Sequence, residues 1–215
     1  MAAGQARVTI IGCGPGGADY LTAAARDAAA QADILIGSAR LLSLFADSAA
    51  RKVALPGDVE ATIAQILANP ASRVAVLVSG DVGLSSLAQP ILRRLGRANC
   101  RLIPAVSSVQ VAFARLGLDW THVRIVNAHG RPVGEAAETI TGCETAAILC
   151  GTKESLTWAA QAARVLAKSH DAFLCQDLTL PTERVERRTP AQLASAAESA
   201  SSLSVVVLAK KDLLE

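Results

Sequence analysis

The residues best suited to chemistry form a glycine-rich segment near the start of the 215-residue chain, Gly12-Cys13-Gly14-Pro15-Gly16-Gly17. It directly follows a short run of β-branched residues. Glycine permits positive φ and lets a ligand approach the backbone, and the carboxyl end of a first parallel strand is where α/β proteins bind nucleotide-like ligands. The segment also satisfies the dinucleotide pattern G-x-G-x-x-G, although Pro15 interrupts it and delays the helix that this pattern opens. It therefore indicates a nucleotide-like ligand, and a tight turn without a ligand is the simpler alternative.

The end of the second predicted strand bears on which nucleotide such a loop would bind. An NAD site has an acidic residue at this point, whereas here the strand ends in Ile36-Gly37-Ser38. The segment Ser38-Ala39-Arg40 instead suits a 2′-phosphate. An NADP-dependent oxidoreductase is therefore an alternative function.

Two further loops of small residues follow later strands. Ser79-Gly80-Asp81 comes after the fourth predicted strand, and Pro104-Ala105-Val106-Ser107-Ser108 comes after the fifth. Asp81 is a favoured residue type for capping the next helix, and its carboxylate can also accept hydrogen bonds from a ribose or an amine of a ligand. Because the carboxyl ends of parallel strands share one edge of a sheet, we expect the three loops to converge on one crevice.

The elements that position these loops alternate along the whole chain. We predict strands over residues 7–11, 33–36, 52–55, 73–78, 101–103, 123–126, 146–150, 172–175 and 203–209. Helices are predicted over residues 21–30, 39–45, 59–68, 83–95, 106–116, 153–167 and 190–198, the fourth with a kink at Pro90. Continuous apolar strands separated by helices favour a mainly parallel sheet. The fold class is α/β, with one domain over residues 1–110 and a second over residues 111–215.

Composition excludes several classes of function. The net charge is +2 and aromatic residues make up 3% of the chain, which argues against a nucleic-acid partner. The five cysteines are widely spaced, without a metal-ligand pattern, which favours a reducing compartment and predicts no bound metal. We see no signal peptide in residues 1–6 and no apolar run near the roughly 20 residues that cross a bilayer. We expect a soluble, cytoplasmic protein without a membrane partner.

The three loops resemble, in type and order, the motifs of the tetrapyrrole methylase family. A more specific likeness, to one branch of the family, runs from about residue 8 to residue 209 and includes Ile36-Gly37-Ser38-Ala39-Arg40-Leu41-Leu42, Ala128-His129-Gly130-Arg131 and Gln176-Asp177-Leu178-Thr179-Leu180-Pro181-Thr182-Glu183-Arg184-Val185. The resemblance implies two α/β domains with S-adenosylmethionine in a cleft between them. It assigns cofactor binding to Gly12, Gly14, Pro15, Gly16, Asp81, Leu84, Ser107, Ser108 and Cys150. The chain departs from the family at Val82, where proline is usual, and at Cys150-Gly151-Thr152-Lys153.

Within the family, the likeness is to methyltransferases that act on C-5 of a corrin-ring precursor, cobalt-precorrin-7 or precorrin-7, in cobalamin biosynthesis. Another regiospecificity within the family is the nearer alternative. The acetate and propionate arms of such a substrate need cations, for which Arg40, Arg131 and Arg184 are the candidates. His129 is the candidate for moving a proton. The resemblance further implies a homodimer and a separate protein for C-15 methylation and decarboxylation.

Overall fold

A computed structural model describes residues 7–55, 58–129, 136–199 and 201–214. The chain divides into two compact units, residues 1–107 and 108–215. Both units combine a five-stranded sheet with helices, which confirms the predicted α/β class. The division falls just before the helix Ser108–Leu116, whereas the boundary predicted at residue 110 lies inside that helix.

The first unit contains an entirely parallel sheet. Its strands are β1 (Val8–Gly12), β2 (Ile34–Gly37), β3 (Arg51–Ala54), β4 (Val74–Val78) and β5 (Cys100–Ile103), in the order β3-β2-β4-β1-β5. Its helices are α1 (Ala23–Ala30), α2 (Ala39–Ser43), α3 (Val59–Leu67) and α4 (Ala88–Leu95). Successive residues of β1, Ile10 and Ile11, belong to two separate apolar clusters, since neighbouring strand residues point to opposite faces. The sheet is therefore buried on both faces, which explains why its strands are continuously apolar.

Side-chain caps fix the start of three helices in this unit. The side chains of Thr22, Ser38 and Asp58 accept hydrogen bonds from backbone amides in the first turns of α1, α2 and α3. The fourth helix differs from its prediction, because it begins at Ala88 rather than at residue 83. Pro90 consequently lies in the first turn, where a missing amide hydrogen costs nothing, and the predicted kink was wrong.

The second unit contains a mixed sheet. Its strands are β6 (Arg124–Asn127), β7 (Thr145–Cys150), β8 (His170–Gln176), β9 (Arg184–Arg187) and β10 (Ser204–Lys210), in the order β6-β7-β10-β8-β9. Only β6 and β7 pair in parallel among these strands, so the mainly parallel arrangement holds for the first unit alone. Its helices are α5 (Ser108–Leu116), α6 (Lys153–Leu166) and α7 (Pro190–Ala196).

The core of the second unit lies between its sheet and helices α6 and α7. Ile148 of β7 and Val206 of β10 pack there with Leu156 of α6 and Leu193 of α7. Thr152 and Thr189 begin α6 and α7 with capping boxes, which fix the two helix starts. Throughout the described ranges, every helix is too short or too polar to cross a membrane.

Candidate functional site

Two glycines join the loops that follow β1 and β4, residues 13–17 and 79–87, here called the β1 loop and the β4 loop. The amide of Gly80 donates to the carbonyl oxygen of Gly14 at 2.8 Å, and the amide of Gly14 donates to the carbonyl oxygen of Gly80 at 3.3 Å. Both residues have positive φ, 73° at Gly14 and 66° at Gly80. A side chain would strain the backbone at either position, so this pairing favours glycine.

The β5 loop, residues 104–107, meets the other two loops at Gly12. A Cβ atom built on Gly12 would lie 2.8 Å from the Cβ atom of Ala105 and 2.9 Å from the carbonyl oxygen of Gly80. Both distances are too short for any side chain. The third loop therefore packs directly on the end of β1, and the predicted convergence of the three loops is found within the first unit.

The carboxylate of Asp81 connects the β4 loop to the β5 loop. Its Oδ1 atom accepts from the amide of Gly83 at 2.7 Å, and its Oδ2 atom accepts from the amide of Ala105 at 2.8 Å. Helix α4 begins several residues later, with Leu87 at its N-cap. The interpretation of Asp81 as a helix cap was therefore wrong, because its side chain fixes the spacing of two loops.

The β1 loop is deeply packed. Gly12, Cys13, Gly14, Pro15 and Gly16 are all buried. Burial raises the pKa of the Cys13 thiol to about 12, although the positive charge of nearby Arg40 acts in the opposite direction. Cys13 is thus a neutral packing residue, as expected from its small size.

The β1 loop does not open a helix directly. A short 3-10 turn at Ala18–Tyr20 follows it, and α1 begins only at Ala23. The dinucleotide fingerprint requires the helix to start at the loop so that its amides face a pyrophosphate. This geometry weighs against the NADP alternative.

Arg40 lies in the first turn of α2, beside the β4 loop. Its Nη2 atom donates to the hydroxyl oxygen of Ser79 at 2.9 Å. Its Nη1 atom is buried and has no hydrogen-bond partner among the described residues. Burial lowers the pKa of this guanidinium from its ordinary value, and the Cys13 thiol partly offsets that effect.

A histidine and a glycine are packed together at one end of β7 in the second unit. The Nδ1 atom of His129 lies 3.2 Å from the carbonyl oxygen of Cys150. Since a carbonyl oxygen only accepts, Nδ1 carries the hydrogen and Nε2 is left as the acceptor in the neutral ring. A Cβ atom on Gly151 would lie 2.0 Å from Nδ1, so the imidazole occupies the space of a side chain. His129 itself is exposed.

The remaining predicted residues are distributed over both units. Leu84 is half-buried in the β4 loop, and Ser107 is buried, with 6% of its surface exposed. Ser108 begins α5 and buried Cys150 ends β7, so both belong to the second unit. Arg184 is an exposed residue at the start of β9, and Arg131 lies outside the described residues.

The sequence did not single out three residues that complete these contacts. Ser79 holds Arg40, Ala105 closes against Gly12, and Gly151 makes room for His129. Ser79 and Ala105 stood inside motifs that the sequence identified, but nothing local revealed their partners. Gly151 follows a buried strand directly, and that position was the one available signal of a close approach.

The loop between β8 and β9 contains two non-glycine residues with positive φ, Asp177 at 51° and Thr179 at 71°. Glu183 supports it, because its carboxylate accepts from the amide of Thr179 at 2.5 Å and from Nε of Arg115 at 2.6 Å. Hydrogen bonding to Arg115 lowers the pKa of Glu183, despite opposition from burial. The loop is held in a conformation that the backbone alone disfavours.

Known proteins are similar to this chain in sequence and in structure. The family model described as Tetrapyrrole (Corrin/Porphyrin) Methylases matches residues 7–194. The cobalt-precorrin-7 C(5)-methyltransferase of Salmonella typhimurium is 32% identical over 126 residues, which are 59% of this chain and 63% of that protein. A probable cobalt-precorrin-7 C(5)-methyltransferase of Methanocaldococcus jannaschii is 30% identical over 58% of this chain and 61% of its own length. The chain thus spans about three fifths of the length of these curated relatives.

The fold is shared with solved structures over nearly the whole chain. The cobalamin biosynthesis precorrin-6Y methylase of Archaeoglobus fulgidus has a TM-score of 0.73 at 24% identity, covering 95% of this chain and 98% of that one. The uroporphyrin-III C-methyl transferase of Thermus thermophilus complexed with S-adenosyl homocysteine has a TM-score of 0.74 at 18% identity, covering 94% and 92%. With the family model matching most of its length, the chain belongs to the tetrapyrrole (corrin/porphyrin) methylases.

Proposed function

We propose that this protein is an S-adenosylmethionine-dependent C-methyltransferase that methylates C-5 of a corrin-ring precursor, cobalt-precorrin-7 or precorrin-7, in cobalamin biosynthesis. The observation that carries the proposal is the meeting of three small-residue loops at the carboxyl edge of a parallel sheet. Relatives named cobalt-precorrin-7 C(5)-methyltransferase support the ring position, at 30% to 32% identity.

The local geometry of the β4 loop fits a ligand that touches backbone. A Cβ atom on Gly80 would meet no atom within 4 Å, whereas Gly12 and Gly14 are crowded by their neighbours. One side of Gly80 is therefore open to a ligand at the point where the loops join. In this proposal the donor is held by Gly12, Gly14, Pro15, Gly16, Asp81, Leu84 and Ser107 of the first unit, and Ser108 and Cys150 are proposed as further donor-binding residues.

For this reaction the protein must align the methyl donor with the acceptor carbon and exclude water. S-adenosylmethionine supplies a methyl group on a positively charged sulfur, which already activates it for displacement. The new carbon–carbon bond forms as the carbon–sulfur bond breaks, with the electron pair going to sulfur, and the methylated ring gives up one proton. Rigid loops that hold donor and acceptor in line therefore supply most of the catalysis.

His129 is proposed to accept that proton. Its Nδ1 hydrogen is engaged by Cys150, which leaves a basic Nε2 atom on an exposed ring. Arg40, Arg131 and Arg184 are proposed to bind the carboxylates of the acceptor. We include in the proposal a homodimer and a separate protein for the C-15 step. A relative named Precorrin-6Y C(5,15)-methyltransferase [decarboxylating], from Sinorhizobium sp, is 33% identical to this chain over 129 residues.

Incubation with S-adenosylmethionine and either precorrin-7 or its cobalt form tests this function. We expect one new methyl group, which NMR with a ¹³C-labelled donor locates on C-5. A methyl group at another ring position would replace the C-5 assignment with another regiospecificity. If neither form is methylated beside an active control enzyme, the proposed function is wrong.

A further inference from the structure

The guanidinium group of Arg40 is fixed through one of its two terminal nitrogens, and the other makes no hydrogen bond to a described residue. The Nη2 atom is fixed by Ser79, while Nη1 is buried and has no hydrogen-bond partner among the described residues. Ser79 accepts this bond, and its own hydroxyl hydrogen is not used by any described residue. Two donors, one charged and one neutral, therefore lie side by side next to Gly80.

No charged group of the described chain neutralises Arg40. The nearby Cys13 thiol stays protonated at neutral pH, because burial raises its pKa to about 12. The neighbouring Asp81 uses both carboxylate oxygens to accept from the amides of Gly83 and Ala105. A partly buried cation without a counter-ion is unfavourable unless a ligand supplies the negative charge.

We propose that Arg40 and Ser79 form a subsite for a carboxylate of a ligand bound at the β1, β4 and β5 loops. This inference rests on the proposed function, which offers two sources of that carboxylate. One is the amino-acid end of S-adenosylmethionine, and the other is an acetate or propionate arm of the acceptor.

A carboxylate suits this arrangement better than a single-point anion. The planar guanidinium presents parallel N–H groups that match two oxygens, and a serine hydroxyl adds a third hydrogen bond. Lysine at position 40 would keep the positive charge but would not present two parallel N–H groups to the carboxylate. The subsite therefore predicts that Arg40→Lys is only a partial replacement.

Titration calorimetry on the full chain tests the inference with Arg40→Met, Arg40→Lys and the control Arg97→Met. Arg97 is an exposed residue on the 3-10 turn that follows α4. The first pair of probes is S-adenosylhomocysteine and its decarboxylated analogue. The second pair is cobyrinic acid, a corrin with free acetate and propionate arms, and its full methyl ester.

We expect Arg40→Met to weaken binding of one carboxylate probe by about 10- to 100-fold, while binding of the counterpart that lacks the carboxylate is unchanged and the Arg97→Met control binds both as wild type does. Loss with S-adenosylhomocysteine assigns the subsite to the donor, and loss with cobyrinic acid assigns it to the acceptor. The affinity of Arg40→Lys for the same probe should lie between those of the wild type and Arg40→Met. Arg40→Lys also replaces Arg40→Met in the test if Arg40→Met does not fold. Unchanged affinity for both carboxylate probes in a folded variant would overturn the inference.

Melting temperature separates a binding role from a structural one. Removing an unpaired buried cation should leave the melting temperature unchanged or raise it. A lower melting temperature with unaltered binding would mean that Arg40 only supports the fold. Binding of S-adenosylhomocysteine by the wild-type chain tests the proposed function independently, so the two failures are distinguishable.

Discussion

The carboxylate of Asp81 accepts a hydrogen bond from the backbone amide of Ala105, with 2.8 Å between Oδ2 and the nitrogen. The two residues belong to loops at the ends of different strands, β4 and β5. With the second carboxylate oxygen bound to Gly83, the side chain holds both loops at a fixed separation. The side chain of Asp81 therefore helps to set the shape of the proposed donor site, together with the Gly14–Gly80 pairing and the contact of Ala105 with Gly12.

Asp81→Asn should weaken binding of S-adenosylhomocysteine about tenfold or more and lower the free energy of unfolding by about 1 to 3 kcal/mol. Asparagine keeps one acceptor oxygen, but its NH₂ group faces an amide that also donates. Calorimetry and chemical denaturation measure the two effects. Asp58→Asn is the matched control, since Asp58 caps α3 and asparagine caps helices equally well. Unchanged ligand affinity in Asp81→Asn would contradict this role.

Gly12→Ala should separate the β1 and β5 loops, because the added methyl would lie 2.8 Å from the Cβ atom of Ala105. We expect loss of S-adenosylhomocysteine binding by calorimetry. Gly117→Ala serves as the control, because Gly117 has a φ of 69° but no atom within 4 Å of an added Cβ. That change should cost about 1 kcal/mol of stability and leave binding intact. Equal affinities in the two variants would argue against the Gly12 contact as part of the site.

His129→Asn should reduce the turnover number by about 10²- to 10⁴-fold without changing affinity for S-adenosylhomocysteine. The asparagine amide can replace Nδ1 as donor to Cys150, but it provides no basic nitrogen in place of Nε2. Single-turnover methylation measures the effect, with His122→Asn as the control on an exposed histidine. Full activity in His129→Asn would reduce His129 to a structural role.

Glu183 should make stability depend on acid pH. Its folded-state pKa is held below the ordinary value of 4.5, mainly by the hydrogen bond from Arg115. The stabilisation is therefore fully present above about pH 4.5 and is lost as pH falls through the lowered pKa. Glu183→Gln should be less stable than wild type by about 1 to 2 kcal/mol at pH 7, with a smaller difference at acid pH. The more exposed Glu144, with 60% of its side chain accessible, provides the control Glu144→Gln. A difference that stays constant with pH would exclude the ionised pair as its source.

Hydrophobic periodicity and turn residues predicted most of the helices and strands. In the first unit this worked because the strands are buried on both faces and three helices begin with side-chain caps. β9 was missed, since Arg184-Val185-Glu186-Arg187 carries the charges typical of an edge strand. The start of α4 was predicted too early, at residue 83, because nothing in the sequence indicated that Ser85 adopts a φ of 51°, which a right-handed helix cannot contain before Ala88. The sequence also did not predict the antiparallel strands of the second unit, because a buried apolar strand has the same residue pattern in parallel and in antiparallel pairing.

The candidate site was predictable as three loops but not as a set of contacts. The glycines and Asp81 were identified by type and by position after strands. The bond from Ala105 to Asp81 spans 24 residues, and the contact of His129 with Cys150 spans 21. Such pairs depend on how strands are ordered in the sheet, which local patterns do not encode. For this reason Asp81 was interpreted as a helix cap.

A crystal structure of the chain with S-adenosylhomocysteine tests the central claim most directly, namely that the three loops of the first unit hold the methyl donor. We predict that the ligand contacts the backbone at Gly14 and Gly80 and lies against the β5 loop. A ligand bound elsewhere, with no atom in contact with these three loops, would contradict the account.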